Sequence, residues 1–350
     1  MSHQRFRVVV AVDLQEELCD LIEKLEPRCE VVRDHRLYRP QRFIADWGGD
    51  PQHERTSEEQ ASFEAMVDSA DALFSLPDVD PAALARTVRA NPGLRWVHGT
   101  AAGAGSQVKA AGLTVEELDR ITFTTSAGVH GDSLAEFAVF GIFAGAKDLV
   151  RLQAQQKDRL WSNRWTMRQV GDMNILVAGL GGIGQAVAVR LKALGATVWG
   201  TSRRSRPVDG VDQLVQVDDL ISVMAQIDAV VVTLPGTTET ESLFSCELFN
   251  AAKPNLIVVN VGRGTVIDEV ALVEALESGQ VGFAALDVFE EEPLPEQSPL
   301  WVYPNVLVSP HTAGLKASEP ELIARLFAKN ATRFLDGKKM ENVVDTVNFY

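Results

Sequence analysis

The fold of this chain can be inferred from the segment Ile175-Leu-Val-Ala-Gly-Leu-Gly-Gly-Ile-Gly184. Its first four residues are apolar, as expected of a buried strand, and Gly179, Gly181 and Gly184 then form the pattern Gly-x-Gly-x-x-Gly before a helical segment. A second strand, residues 196–201, follows directly. This order predicts a dinucleotide-binding site. The first glycine permits a tight turn, the second lets a pyrophosphate approach the backbone, and the third brings the helix close to the sheet.

The N-terminus of that helix gives the glycine stretch a second attraction for phosphate. Free N–H groups and the positive end of the helix dipole both favour an anion there. A tight turn without a ligand is the alternative, and the strand–helix–strand context favours the dinucleotide. We therefore assign five residues of the stretch to cofactor binding: Gly179, Gly181, Gly182, Ile183 and Gly184.

The composition indicates a globular protein that can bury two cores. Its 350 residues are 46% apolar, and typical domain sizes favour two domains. A formal net charge of -15 disfavours nucleic acid and anionic membrane surfaces as partners. The longest apolar run, residues 137–146, is too short to span a membrane, and the N-terminus lacks a signal-like segment, so we expect a cytoplasmic protein. The three cysteines lack metal-ligand spacing and are expected as reduced thiols.

Short apolar runs alternate with helical segments before residue 126, which predicts a mainly parallel sheet. One connection, residues 36–56, is unusually long and has no period. Its arginines either form a solvated basic loop or provide a guanidinium for a second acidic group on a substrate. Four arginines recur in and just before this connection: Arg33, Arg36, Arg39 and Arg42.

A turn of small residues follows the strand expected at 94–98. Open α/β sheets bind ligands at the carboxyl ends of their strands, so the N–H groups of Ala101, Ala102 and Gly103 are candidates for binding a carboxylate. An ordinary turn leading into the next helix is the alternative.

A long helix is expected over residues 134–159, with Asp132 or Ser133 as its cap. The glycine stretch follows it, and the amphipathic helix at 320–334 then returns to the first block. The predicted fold is α/β with two Rossmann-like domains. A flavodoxin-like substrate domain, residues 1–126 and 311–350, is interrupted by an inserted NAD(P)-binding Rossmann domain, residues 127–310. Further buried strands of the inserted domain are expected at residues 229–235, 256–262, 281–288 and 306–309.

Three consecutive strand ends carry side chains that suit acid–base chemistry. Arg263 follows one strand, Asp287 and the acids 290–292 follow the next, and His311 follows the third. The planar guanidinium of arginine matches a carboxylate. Histidine can transfer a proton near neutral pH, and a neighbouring carboxylate fixes its tautomer. We expect these side chains to meet at one rim of one sheet, beside the cofactor.

These motifs resemble the D-isomer-specific 2-hydroxyacid dehydrogenases, the family that includes phosphoglycerate, glyoxylate/hydroxypyruvate and D-lactate dehydrogenases. The similarity covers nearly the whole chain and is strongest from 170 to 314. Four stretches carry it, in the family's order: V-A-G-L-G-G-I-G (177–184), N-V-G-R-G-T-V-I-D (260–268), A-L-D-V-F-E-E-E-P-L-P (285–295) and S-P-H-T-A-G (309–314).

The resemblance implies catalytic roles for three residues. Arg263 would hold the carboxylate and carbonyl of the substrate, and His311 would donate a proton as hydride reaches the carbonyl carbon. Glu292, which directly precedes the proline as the family's acid does, would hold His311. Glu290 and Glu291 are expected to be solvated acids.

The resemblance also implies binding roles. Asp287 would contact the amide of the nicotinamide, and Pro235 is assigned to the cofactor site as well. The turn formed by Ala101, Ala102 and Gly103 would present its N–H groups to the substrate carboxylate, with the substrate between the two domains.

The residues after the second Rossmann strand favour NADP over NAD as the cofactor. NAD-preferring members of the family place an aspartate where this chain has Ser202, followed by Arg203 and Arg204. A carboxylate would repel a 2′-phosphate, whereas guanidinium groups attract it. The alternative is that the two arginines stack on the adenine or point to water.

The sequence thus predicts an NADP-preferring 2-hydroxyacid dehydrogenase that acts mainly as a reductase of small 2-keto acids such as glyoxylate or hydroxypyruvate. The resemblance makes a homodimer the expected assembly. A dinucleotide-sensing binding protein like the C-terminal-binding corepressors is the alternative from another class. Formate dehydrogenase is disfavoured because it pairs its histidine with glutamine, where this chain has Glu292. Residues 36–56 and 126–131 match no sequence pattern that would assign one particular acid as the substrate.

Overall fold

A computed structural model describes residues 5–201 and 207–349. By its internal contacts the chain divides into two compact units, one of Met1–His130 with Leu315–Tyr350 and one of Gly131–Gly314. Among the described residues, no helix combines the length and the apolarity needed to cross a membrane.

In the described part of the first unit, five apolar strands form a parallel sheet. Their order, β2-β1-β3-β4-β5, is the flavodoxin-like order, and the carboxyl ends of all five strands meet at one edge. The strands are β1 (Phe6–Val10), β2 (Cys29–Val32), β3 (Ala72–Phe74), β4 (Trp96–Gly99) and β5 (Thr122–Thr125).

The second unit contains a seven-stranded parallel sheet within its described residues, in the order β12-β11-β10-β9-β6-β7-β8. The order reverses beside β6, the strand that leads into the glycine stretch, and this is where doubly wound sheets bind dinucleotides. The strands are β6 (Asn174–Ala178), β7 (Thr197–Thr201), β8 (Gln213–Val215), β9 (Ala229–Val232), β10 (Leu256–Asn260), β11 (Val281–Leu286) and β12 (Val306–Val308).

Helices connect the strands and cover the sheets, which confirms the predicted α/β fold class. Their apolar faces pack against strands that are almost wholly buried. The helices are α1 (Glu16–Leu25), α2 (Ser57–Val67), α3 (Pro81–Ala90), α4 (Ala104–Ala110), α5 (Val115–Arg120), α6 (Gly131–Ala146), α7 (Leu149–Asp158), α8 (Gly182–Ala193), α9 (Leu220–Met224), α10 (Cys246–Ala251), α11 (Glu269–Glu277) and α12 (Glu319–Leu335).

The single helix expected over residues 134–159 is wrong, because two helices occupy this segment. Asp148 lies between α6 and α7 with φ 54°, a left-handed conformation that aspartate tolerates better than most residues and that no helix can continue through. The proposed caps are wrong too, since α6 already begins at Gly131. Asp132 instead pairs with Arg190 at 2.8 Å.

The arginines around residues 36–56 are largely held by acids of the first unit. Arg39 lies 3.9 Å from Asp78, whose carboxylate also binds Arg55 at 2.7 Å. This internal pairing favours the structural interpretation of the basic loop over a guanidinium held free for a substrate. The other pairs are Arg33 with Glu16, Arg36 with Asp34, and Arg42 with Asp46.

Candidate active site

The glycine stretch forms the turn that the sequence predicts. Gly179 has φ 101°, and its N–H donates to the hydroxyl of Thr201 at 2.8 Å. A Cβ on Gly184 would lie 1.9 Å from the carbonyl oxygen of Gly179, so the start of α8 approaches the turn as only glycine allows. A Cβ on Gly181 or Gly182 would meet nothing within 4 Å. The turn is thus closed on one side and open on the other, where a pyrophosphate would approach.

Two glycine substitutions should therefore separate folding from binding. Gly184→Ala is expected to lower the free energy of unfolding by about 3 kcal/mol, because backbone atoms must move to admit the methyl group. Gly182→Ala should leave stability unchanged or slightly raised, yet weaken dinucleotide binding at least tenfold by crowding the open side. Urea denaturation and fluorescence titration with NADPH measure the two effects. Equal losses of stability in both variants would contradict the geometry.

Arg263 stands at the carboxyl end of β10, in a turn that Asn260 closes. The side chain of Asn260 accepts from the N–H of Gly262 at 3.0 Å and donates to the carbonyl of Arg263 at 3.0 Å. The guanidinium is exposed and donates to the carbonyl of Gly262 at 2.7 Å. Most of its donors therefore face outward, which suits an anionic ligand.

Gly264 joins the arginine turn to the loop after β11. A Cβ at this position would lie 1.8 Å from the carbonyl carbon of Phe289, so the two backbones touch directly. The same loop continues to Glu292, whose carboxylate accepts from the N–H of Phe289 at 3.0 Å. Direct contact of the backbones fixes Arg263 relative to this loop.

Asp287 is buried at the carboxyl end of β11 and organises the segment that carries His311. One carboxylate oxygen accepts from the hydroxyl of Ser309 at 2.6 Å and from the N–H groups of Thr312 and Ala313 at 2.9 and 3.0 Å. Within the described residues the other oxygen, Oδ2, is buried without a hydrogen-bond partner. The expected contact with a nicotinamide amide stays a prediction.

His311 and Glu292 form a direct pair. Nδ1 of His311 lies 2.7 Å from Oε2 of Glu292, and the imidazole is 53% exposed. His311 has φ 52°, in the left-handed region that few residues other than glycine adopt. Because the carboxylate can only accept, Nδ1 carries the proton of this bond and Nε2 is left for a ligand.

The three strand ends are neighbours in the sheet, as the sequence predicts. Strands β10, β11 and β12 lie side by side and parallel, so Arg263, Asp287 and His311 share one rim. Pro235 is exposed after β9, the next strand in the same sheet.

Glu290 has a partner that sequence analysis missed. Its carboxylate accepts from the N–H of Glu269 at 3.2 Å, and Glu269 accepts in return from the N–H of Glu290 at 2.7 Å. Burial and the neighbouring carboxylate raise the pKa of Glu269. This reciprocal pair ties the Glu292 loop to the start of α11, a long-range contact for which a single sequence has no signal.

In the first unit, the turn after β4 presents free donors. The N–H groups of Ala101, Ala102 and Gly103 donate no hydrogen bond within the described part of the chain. Two carbonyls of this turn are held by Ser126, whose hydroxyl donates to Gly99 at 3.1 Å and whose N–H donates to Ala101 at 3.4 Å. The carbonyls are thereby engaged while the donors stay available.

His98 orients Ser126 from the core. Its Nδ1 lies 2.8 Å from the hydroxyl of Thr124, and its Nε2 lies 3.2 Å from the hydroxyl of Ser126. Because the proton of Ser126 goes to a carbonyl, Nε2 must be the protonated nitrogen and Nδ1 the acceptor. Burial lowers the pKa of His98 to about 3, so the imidazole is neutral.

The buried imidazole makes stability depend on pH. In the unfolded chain the pKa of a histidine is about 6.5, so the unfolded state binds more protons between pH 6.5 and 3, and stability falls as pH falls through that window. From pH 6.5 to 4.5 we expect a loss of about 2–3 kcal/mol that His98→Gln does not show. Urea denaturation of both proteins at each pH tests this, and identical slopes would contradict it.

The predicted 2′-phosphate contacts Ser202, Arg203 and Arg204 lie outside the described residues. Among residues 5–201 and 207–349, no group of three or more His, Cys, Asp or Glu side chains is placed to hold a metal ion.

Comparison with known proteins identifies the family. The sequence model of a protein family, described as the NAD binding domain of D-isomer specific 2-hydroxyacid dehydrogenase, matches residues 139–313. Glyoxylate/hydroxypyruvate reductase A of Yersinia enterocolitica is 30% identical over 217 residues, which cover 62% of this chain and 68% of that protein.

Two solved structures match along the whole chain. A D-isomer specific 2-hydroxyacid dehydrogenase of Xanthobacter autotrophicus Py2, in complex with NADPH and MES, is 28% identical with a TM-score of 0.77, over 99% of this chain and 100% of that one. The NADPH-dependent glyoxylate/hydroxypyruvate reductase of Sinorhizobium meliloti, in complex with NADP and sulfate, is 25% identical with a TM-score of 0.76, over 99% and 100%.

The chain belongs to the D-isomer specific 2-hydroxyacid dehydrogenase family. It is an oxidoreductase that acts on CH–OH groups and has an NAD(P)-binding domain of the Rossmann type.

Proposed function

We propose that this protein is an NADPH-preferring reductase of small 2-keto acids, with glyoxylate and hydroxypyruvate as the favoured substrates. The observation that carries the proposal is the His311–Glu292 pair, 2.7 Å from Nδ1 to Oε2, on the rim that also carries Arg263. The Yersinia and Sinorhizobium proteins named above bear the names of glyoxylate/hydroxypyruvate reductases.

His311 supplies the proton of the reaction. Glu292 fixes Nδ1 as a donor and stabilises the imidazolium, so the acidic proton is delivered from Nε2 to the carbonyl oxygen. When bound, a nicotinamide dinucleotide would supply a hydride for the carbonyl carbon. Proton and hydride together convert the 2-keto acid into a 2-hydroxy acid, and Nε2 is then reprotonated from solvent, which the exposure of His311 permits.

Two groups hold the substrate carboxylate. Arg263 offers a charged planar fork, which also polarises the carbonyl oxygen as negative charge develops there. The N–H groups of Ala101, Ala102 and Gly103 are the further donors, and their freedom from internal hydrogen bonds supports this role. A substrate analogue that lacks the carboxylate should bind neither group.

The cofactor assignment rests on the glycine turn after β6 and on the residues that follow β7 in the sequence. The closed and open sides of the glycine turn fit a dinucleotide pyrophosphate, bound through Gly179, Gly181, Gly182, Ile183 and Gly184. Asp287 and Pro235 are proposed to contact the nicotinamide half. Selection of NADPH over NADH is assigned to Ser202, which stands in place of a carboxylate, and to Arg203 and Arg204, which follow it with positive charge.

The domain limits and the cellular setting belong to the same proposal. Residues 127–310 would form the dinucleotide domain, and residues 1–126 with 311–350 the substrate domain. The free thiols of Cys19, Cys29 and Cys246 are in keeping with the reducing cytoplasm. Exposed apolar side chains after α7, Leu160 and Trp161, favour a homodimer.

Initial rates of NADPH and NADH oxidation over a panel of 2-keto acids test the proposal. We expect turnover of glyoxylate and hydroxypyruvate, with a higher kcat/KM for NADPH than for NADH. Tight dinucleotide binding without turnover of any acid would overturn it and favour a nucleotide-sensing binding protein.

A further inference from the structure

A buried carboxylate joins two segments of the first unit, the loop 36–56 and the turn after β5. Their sequences match no pattern that would assign one particular acid as the substrate. Glu319, the first residue of α12, is 1% exposed. Its Oε1 accepts from the indole N–H of Trp47 at 3.0 Å and lies 3.3 Å from Nε2 of His130. Trp47 belongs to the loop 36–56, and His130 ends the turn that follows β5.

Both segments lie at the edge of the sheet where ligands bind. The loop 36–56 follows β2 and the turn 126–130 follows β5, and these are the two outermost strands of the first sheet. The turn with free N–H groups, residues 101–103, follows β4 at the same edge. Glu319 therefore connects the outer limits of the rim on which the proposed carboxylate site stands.

Further contacts hold the same segments. The ammonium of Lys316 donates to the carbonyl of Val129 at 2.8 Å, so a second residue near the start of α12 ties down the turn after β5. The ring of Trp47 packs edge-on against Phe74, with centroids 6.1 Å apart. Each of the two segments is thus held by a further contact.

Packing does not explain why this residue is a glutamate. Its second oxygen, Oε2, is buried without a hydrogen-bond partner among the described residues, which costs stability that an apolar side chain would not lose. Its first oxygen accepts from the indole of Trp47 and also lies within ion-pair distance of the imidazole of His130, in a separate segment. This arrangement indicates that the glutamate serves to hold Trp47 and His130 in position.

We propose that Glu319 is a positioning residue that determines which 2-keto acid is accepted, by fixing the loop 36–56 and the turn 126–130 around the substituent on the keto carbon. This inference rests on the function proposed above. Glyoxylate has no carbon beyond its keto carbon, so it has nothing for these segments to contact. Hydroxypyruvate carries a hydroxymethyl group there, and its productive binding depends on their position.

Glu319→Ala should therefore affect the two acids differently. We expect kcat/KM for hydroxypyruvate to fall about tenfold or more, mainly through KM, while that for glyoxylate stays nearly unchanged. Glu321→Ala is the matched control, because Glu321 lies on the same helical turn, is exposed and pairs only with Arg325 among the described residues. Glu319→Gln keeps an acceptor oxygen for the indole of Trp47 and should retain most of the wild-type kcat/KM for hydroxypyruvate.

Hydrogen exchange of the ligand-free proteins gives a second result that needs no turnover. The backbone N–H of Asp50 donates to the carbonyl of Pro40, and that of Val129 donates to the carbonyl of Ser126. Both amides should exchange faster than in the wild-type protein in Glu319→Ala, but not in Glu321→Ala. Unchanged exchange, or equal losses of kcat/KM for both acids, would overturn the proposal. If the wild-type protein turns over neither acid, the proposed function is refuted. If exchange still differs between Glu319→Ala and Glu321→Ala in that case, Glu319 remains the residue that positions these segments.

Discussion

Replacement of His311 by glutamine is expected to lower kcat for 2-keto acid reduction by about 10²–10⁴-fold, the usual contribution of a positioned acid–base group. Glutamine can donate a hydrogen bond to the carbonyl oxygen, but it cannot give up a proton as the hydroxyl forms. Because Glu292 holds Nδ1 at 2.7 Å, the loss concerns one nitrogen, Nε2. Steady-state rates of NADPH oxidation at saturating keto acid measure the change.

Controls for this prediction lie in the same loop. Glu292→Gln should also lower kcat, by a smaller factor, because the imidazole stays in place while its imidazolium loses the carboxylate. Glu291→Gln removes an exposed acid one residue away and should leave the rate unchanged. The affinity for NADPH should be the same in all three variants. A His311→Gln enzyme with full kcat would refute the assignment of the proton donor.

Arg263→Ala is expected to lower kcat/KM by about 10²–10³-fold, as truncation of one partner of a charge pair commonly does. Both KM and kcat should suffer, because the guanidinium binds the substrate carboxylate in the ground state and the developing oxyanion in the transition state. Arg263→Lys should recover only part of the loss, since an ammonium cannot form two parallel hydrogen bonds to a carboxylate. Initial rates over a range of keto acid concentrations separate the two constants.

Arg325→Ala is a suitable control for Arg263→Ala. Arg325 is half exposed and pairs with Glu321 one helical turn away, so its removal changes charge without touching the proposed site. Equal kcat/KM values for Arg263→Ala and the wild-type protein would contradict the carboxylate assignment.

The local chemistry of the sequence predicts much of the candidate site. Glycine spacing indicates the turn after β6, because a tight turn and a close helix need glycine at defined positions. Arg263, Asp287 and His311 could be placed on one rim because parallel neighbouring strands end at the same edge of a sheet. Both arguments use residues that are close in sequence to a strand end.

Long-range contacts could not be predicted in this way. Glu319 is separated by 272 residues from Trp47, and nothing in either segment indicates the other. The break at Asp148 was missed because both flanking segments form helices and an aspartate between them does not by itself indicate a left-handed residue. The pairing of Glu290 with Glu269 depends on how two loops meet, so spacing alone indicated only a solvated acid.

The three consecutive acids after β11 show how much this limitation matters. Glu292 meets His311, Glu290 meets the backbone at the start of α11, and Glu291 is exposed. Their residue type is the same, so sequence chemistry alone cannot assign different roles. The positions of the partners do so.

The stoichiometry of a complete reaction tests the proposed reductase activity. Wild-type protein is mixed with NADPH and a limiting amount of hydroxypyruvate, and the products are identified by NMR. We predict one NADPH consumed for each hydroxypyruvate, with glycerate of the D configuration as the product. Bound NADPH that is not consumed, or consumption that leaves hydroxypyruvate intact, would show that the protein is not a hydroxypyruvate reductase.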